Sequence, residues 1–375
     1  MRAHHCSITE LAARWFLLAL LGVALTGCAK LGYYTQAING QLEILSKRQP
    51  IEALLDDPDT EPDLKARLAS ILEMRAFASR ELGLPDNKSY RTYVDLKRPY
   101  VVWNVFATRE LSVKPVEWCF AFIGCVSYRG YFSEKTAQKF AQKLREQDHD
   151  VYVAGIAAYS TLGWFHDPVL NTILRHSQTE IAGLIFHELA HQLTYVKDDT
   201  TFNESFAMTV ELEGVRRWVK SQGSTEEYER YLVKKKRQEE FVNLITNVRL
   251  RLQEVYSSQM DDNRKRTAKA KAFEDLRADY KKLKESWGGS RSYDAWVAQE
   301  LNNAHLIAIG LYHELVPAFH ALLEQHDGDL SAFYGAVDQL GRLPREKRRA
   351  KLESLQAPDL SHYKVTGRLL RPPSR

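Results

Sequence analysis

Cysteine is scarce in this sequence, four in 375 residues, which excludes a disulfide-dense scaffold and a cysteine-rich metal cage. Charge of either sign is not in surplus. Against 52 lysines and arginines stand 48 aspartates and glutamates, a formal charge of +4. So small an excess, with no aromatic-plus-basic motif, argues against a nucleic-acid partner. Internal repeats are absent, which excludes a solenoid. The apolar run Phe16 to Leu25 is too short to cross a bilayer as a helix. What remains is an ordinary globular composition, 44% hydrophobic and 27% charged, with material for one large domain or two.

Arg2 and Arg14 ahead of the apolar run form the positive region of a secretion signal. The run ends in Leu25-Thr26-Gly27-Cys28, which resembles the bacterial lipobox. The resemblance implies loss of residues 1–27 and lipid on Cys28, a firm membrane anchor for the soluble part. Ala29 in the next position implies sorting to the outer membrane, facing the periplasm. Cys119 and Cys125 then remain. In an oxidising compartment they can close a small disulfide loop, or stay as two buried thiols.

After Cys28, residues 28–89 read as helical, with Ala66 to Leu82 amphipathic and ended by Gly83 and Pro85. Character changes at Tyr90, where a core segment 90–223 is expected to begin. The stretches Tyr100 to Phe106 and Val126 to Phe132 are rich in β-branched and aromatic residues and read as strands. Ser133 caps an expected helix reaching Gln147, and Val151 to Gly155 and Ala157 to Trp164 read as two more extended runs. Beyond Asp167-Pro168 the pattern is helical, through a region 224–357 to a tail at 358–375. The charged stretch Glu226 to Leu283 carries the stripe Leu232, Phe241, Leu244, Ile245, Val248 and Leu252, so its charges read as a solvated face. Leu301 to Gln325 reads as one helix kinked at Pro317.

The chemistry concentrates in Ser177 to Leu193. Ser177 with Glu180 has capping-box spacing, and Ile181, Leu184, Ile185, Leu189 and Leu193 make the helix mostly buried. His187 and His191 are one turn apart on one face, as two ligands of a single zinc ion require. Glu188 is rotated by about 100° from His187, which sets its carboxylate beside the ion as a base for the attacking water. Two histidines and a glutamate in an apolar helix are costly without a partner. Glu204, in Asn203-Glu204-Ser205-Phe206-Ala207, is the expected third ligand; twelve residues separate it from His191, room for a turn and a second helix packing back. Thr201 with Glu204 also has capping-box spacing. Glu211 and Glu213 are rivals, but Glu211 lies about 10.5 Å further along a helix axis than Glu204. Glu211 is then an outer group or an anchor for a substrate ammonium.

His187-Glu188-Leu189-Ala190-His191 followed by Asn203-Glu204-Ser205-Phe206-Ala207 resembles the gluzincin pattern, closest in wording to zinc aminopeptidases. With Val126 to Phe132, Ala158 to Trp164 and Leu301 to Ala304, most of the mature chain is similar to a family of bacterial lipoproteins described as aminopeptidases. The resemblance implies an α+β fold around a gluzincin-like core with a small mixed sheet and a helical C-terminal region. It implies one zinc ion on His187, His191 and Glu204, and a peptide substrate. Two departures stand out. The spacing from His191 to Glu204 is shorter than thermolysin's, and Met208 stands where thermolysin-like enzymes place an acid that orients a ligand histidine; Glu211 or Asn203 must supply that group. The metzincin pattern fails, because no Gly-x-x-His follows His191.

By the same resemblance an oxyanion donor comes from a later helix, and Tyr312 is the candidate. Asn302 and Asn303 either contact the substrate backbone or cap a helix. The segment holding Tyr159, Gly163 and Trp164 is the expected edge strand for the substrate. Two other functions stay open: an envelope endopeptidase or processing factor, and a lipid-anchored interaction protein with structural zinc.

Overall fold

The computed structural model describes residues 32–120, 124–158, 161, 165–223, 225–310 and 315–355. Cys28, Tyr159, Gly163, Trp164 and Tyr312 lie outside the described residues, as do the expected signal and tail. The chain opens with helix α1 (32–46), strand β1 (Gln49–Pro50) and helices α2 (Ile51–Asp56) and α3 (Pro62–Leu82). α3 begins on Pro62, where a missing N–H costs nothing, and ends at Gly83, whose φ of 65° suits a residue without a side chain. Strands β2 (Thr92–Val94), β3 (Val102–Arg109), β4 (Trp118–Phe120), β5 (Gly124–Val126) and β6 (Arg129–Tyr131) follow, then α4 (Glu134–Arg145), β7 (His149–Ile156) and β8 (Val169–Leu170).

The strands form three small sheets rather than one. β2 pairs antiparallel with β1 and parallel with β8, a mixed sheet. β3 lies between β6 and β7, antiparallel to both, with Val105 opposite Arg129 and Val153. β4 and β5 make a hairpin in which Cys119 faces Cys125 and is disulfide-bonded to it. The extended run expected over Ala157 to Trp164 is not a strand at its described positions. Two edge strands, β7 ending at Ile156 and the short β8, precede the histidine helix in the chain.

The remaining elements are helices: α5 (Gln178–Leu193), α6 (Thr200–Gln222), α7 (Thr225–Ser257), α8 (Asp262–Ser286), α9 (Asp294–Val297), α10 (Asn303–Gly310), α11 (Val316–Gln325), α12 (Leu330–Gly341) and α13 (Arg345–Leu355). The long charged stretch is thus broken once, where Asp261 caps α8 by accepting from the Arg264 N–H. The helix expected across Leu301 to Gln325 is two helices. Pro317 sits in the first turn of α11, where it starts a helix instead of kinking one. No described helix is long and apolar enough to cross a membrane.

The main core joins Ile71 and Phe77 of α3, Ile185, Phe186 and Leu189 of α5, and Phe206 and Val210 of α6 with Phe319 and Phe333. A second core packs Phe106 of β3 against Phe241, Ile245 and Leu252 of α7 and Leu276 of α8. α5 is therefore buried on almost every side and held as a rigid support.

Candidate metal centre

The site is built on α5 and α6, which lie side by side. α5 starts with both halves of a capping box: Ser177 accepts from the Glu180 N–H and Glu180 accepts from the Ser177 N–H. Close approach of the two helices needs Gly183, because a Cβ there would sit 3.2 Å from Glu211 Cγ and 3.3 Å from Val215. α6 is capped by Asp199, which accepts from the Phe202 N–H at 3.1 Å, so capping does not fall to Thr201. The other Asp199 oxygen takes the buried Arg348 guanidinium at 2.6 Å. Asn203 bonds both the N–H and the C=O of Val196, at 2.7 and 2.8 Å. Its amide is spent on fixing the turn between the helices and does not orient a histidine.

With the cap supplied by Asp199, Glu204 is free to face α5. Its two oxygens lie 3.3 Å from His187 Nε2 and 3.7 Å from His191 Nε2. The two imidazole rings are 4.9 Å apart, and one ligating atom of each of the three residues falls within 4.8 Å of the others. Donors about 2.0–2.1 Å from a tetrahedral zinc ion are about 3.4 Å from one another. The separations of 3.3 and 3.7 Å fit such an ion. His191 Nδ1, the ring nitrogen that does not face Glu204, is buried without a hydrogen-bond partner among the described residues, an arrangement costing about 1–3 kcal/mol.

Glu211 approaches His187 from the opposite edge. Its carboxylate is 3.2 Å from His187 Nδ1, accepts from the Tyr231 hydroxyl at 3.1 Å and pairs with Lys235. The imidazole thus spans two acids seven residues apart on α6, one at each nitrogen. Glu211 is the group that orients His187. Both of its oxygens are engaged, and its ammonium partner within the chain is Lys235 of α7. Glu213 turns away to Arg216 and Arg217, at 2.7 Å from each.

The charges are tightly coupled. Burial acts to lower the pKa of His187, but Glu204 and Glu211 outweigh it and hold it up at about 10. Burial acts to raise that of Glu204, yet hydrogen bonds from the two histidines bring it down to about 2. For Glu188, burial pushes the pKa up, opposed by the histidines and assisted by Glu204 and Asp167. A cavity of about 380 Å³ opens beside this group, lined by Leu184, His187, Glu188, Met208, Tyr231 and Lys235 among others.

Not every expected residue is at this centre. Asn302 and Asn303 start α10: Asn302 Oδ1 accepts from the Ala304 N–H at 3.1 Å, and the buried Asn303 amide donates to the carbonyls of Glu110 and Ser112. These are capping and packing bonds, and the substrate contact considered for the pair finds no support in them. Conversely, Tyr128 and Tyr195 were not singled out as site residues. Burial raises both phenol pKa values, and the charge of Glu204 adds to the effect. Tyr128 sits in an aromatic strand-like run, so nothing local distinguishes it from packing.

Two histidines one turn apart and a carboxylate from the neighbouring helix form a group that could hold a metal ion, with Glu188 beside them. The chain belongs to the family described as "Putative aminopeptidase", whose model matches residues 32–352. No curated protein and no solved structure matches it.

Proposed function

We propose that this protein is a zinc-dependent peptidase of gluzincin type, an aminopeptidase by its family, anchored in the bacterial envelope by lipid on Cys28. The observation that carries the reading is the convergence of His187, His191 and Glu204 at separations suited to one zinc ion. Zinc bound there supplies positive charge that acidifies water and polarises a carbonyl. His187 is aligned for the role by Glu211 and His191 by its place one turn on. Glu188 takes the proton from the attacking water and delivers it to the leaving amine. Its environment strengthens it as a base, since burial disfavours the ionised carboxylate.

One observation favours a second reading, an endopeptidase acting on envelope proteins. Around the cavity, Glu211 is paired with Lys235 and Glu180 with Lys234. Among the described residues lining it, only Glu188 is an acid without a cation, and a free substrate N-terminus needs such an acid. Metal analysis of the purified protein, with aminoacyl and internally quenched peptides assayed in parallel, tests both readings. Zinc near one per chain with hydrolysis is expected, and His191→Ala or Glu204→Gln should lose both. A wild-type protein that takes up no zinc and cleaves neither substrate refutes the proposal.

A further inference from the structure

Helix α1 is apolar on the side that the fold leaves uncovered. Eight large apolar side chains are exposed among the described residues, and three of them lie on this helix: Tyr34, Ile38 and Leu42, at 40, 58 and 55%. Single exposed apolar residues are ordinary on a protein surface. These three follow at i, i+4 and i+8, so they form one stripe, which the half-buried Leu45 continues. The stripe runs along a helix about 22 Å long.

The opposite face is fixed. Tyr33 stacks on Phe120 with ring centres 5.3 Å apart, and the Arg129 guanidinium lies 4.1 Å over the Tyr33 ring. Gln36 donates to the Gly130 carbonyl at 3.3 Å and accepts from the Phe132 N–H at 3.1 Å. Gly40 is buried against the Phe132 ring, and Ile44 is buried one turn on. α1 therefore cannot roll to hide its stripe. Glu43, the only acid on the helix, is paired with Lys47 and Arg98 at 2.8 and 2.9 Å. No uncompensated negative charge of α1 opposes an anionic surface.

We propose that the outer face of α1 seats on the lipid bilayer, with Tyr34, Ile38 and Leu42 entering the boundary between headgroups and acyl chains. The inference rests on the reading that Cys28 carries lipid. Only Ala29, Lys30 and Leu31 separate Cys28 from the start of α1 at residue 32, a reach of at most about 14 Å. Lipid on Cys28 thus holds the stripe beside the bilayer at high effective concentration, where a few apolar side chains suffice to dock an amphipathic helix. A docked α1 also orients the metal centre. Phe120, which Tyr33 touches, lies in β4, and Cys125 of the paired strand β5 donates its N–H to Asp198, in the turn between α5 and α6, at 3.2 Å. The centre then keeps a set orientation to the membrane, which the three-residue link alone does not impose.

Fluorescence quenching tests the docking, with the lipidated chain in vesicles of phosphatidylethanolamine and phosphatidylglycerol that include a lipid carrying a nitroxide on its acyl chain. With Cys28 acylated and Cys119 bonded to Cys125, the mature chain offers no free thiol, so a dye on Asn39→Cys or Lys282→Cys reports one position. Asn39 is exposed beside the stripe, and Lys282 is exposed on α8. The dye at 39 should be quenched and the dye at 282 should not. Adding Ile38→Ser and Leu42→Ser should lower the ratio of docked to undocked helix about 10–100-fold, with the melting temperature unchanged. A parent chain that takes no dye and floats with the vesicles, yet shows no quenching at 39 or quenching that the two serines leave intact, overturns this inference alone. Shielding at 39 that appears only as protein density rises marks a second copy as the occupant and overturns it too. A parent chain that takes dye on Cys28 and does not float overturns it together with the lipid-anchor reading.

Discussion

Replacing Glu211 by Gln tests whether this residue orients a metal ligand. The change keeps size and removes one negative charge that lies 3.2 Å from His187 Nδ1 and pairs with Lys235. Two consequences follow. His187 loses the charged acceptor that fixes which nitrogen faces Glu204, and Lys235 is left beside a neutral amide. Loss of an outer carboxylate of this kind costs about 10–100-fold in metal affinity, or about 1.4–2.8 kcal/mol. Lys235→Met leaves the carboxylate on His187 and should shift affinity less than Glu211→Gln does. Competition between the protein and a chromophoric chelator for zinc measures both variants against wild type. A Glu211→Gln protein that binds zinc within about twofold of wild type refutes the assigned role.

Three other outcomes follow from the same geometry. His187, held protonated to a pKa of about 10 by Glu204 and Glu211 despite burial, must give up that proton when it ligates zinc. Apparent zinc affinity should therefore fall as pH falls, roughly tenfold per unit between about pH 8 and 6, and a flat profile in the chelator assay contradicts this. Arg348→Met leaves Asp199 buried without its cation, which should destabilise the fold by about 3–5 kcal/mol; denaturant unfolding unaffected by the change argues against a stabilising pair. Gly183→Val forces a side chain between α5 and α6, an overpacking cost of about 1–3 kcal/mol. Melting and zinc affinity should decline together, since Glu211 is the neighbour displaced.

The part of the site that lies within one helix was legible in the sequence. Ser177 and Glu180 mark the start of α5, and the spacing of His187 and His191 puts them on one face whatever surrounds them. Glu204 was legible only as a preference. Its alternative, capping with Thr201, disappears once Asp199 is seen at the N-cap. Arg348, arriving from α13 far along the chain, holds the Asp199 oxygen that does not cap, a contact that local sequence does not show. Glu211 was legible only as alternatives, an outer group orienting a histidine or an anchor for a substrate ammonium, for a similar reason. Its partners Tyr231 and Lys235 come from α7, and a sequence does not show which face of a charged helix turns inward. The break at Asp261 and the helix start at Pro317 were missed because helical periodicity continues across both.

Glu188→Gln bears on the central claim most directly, because the variant should keep the ion and lose the base. Zinc content and zinc affinity should match wild type, while peptide hydrolysis falls by about 10²–10⁴-fold. Zinc retained with hydrolysis unchanged would contradict a catalytic role for this centre and leave the ion, if present, a structural one.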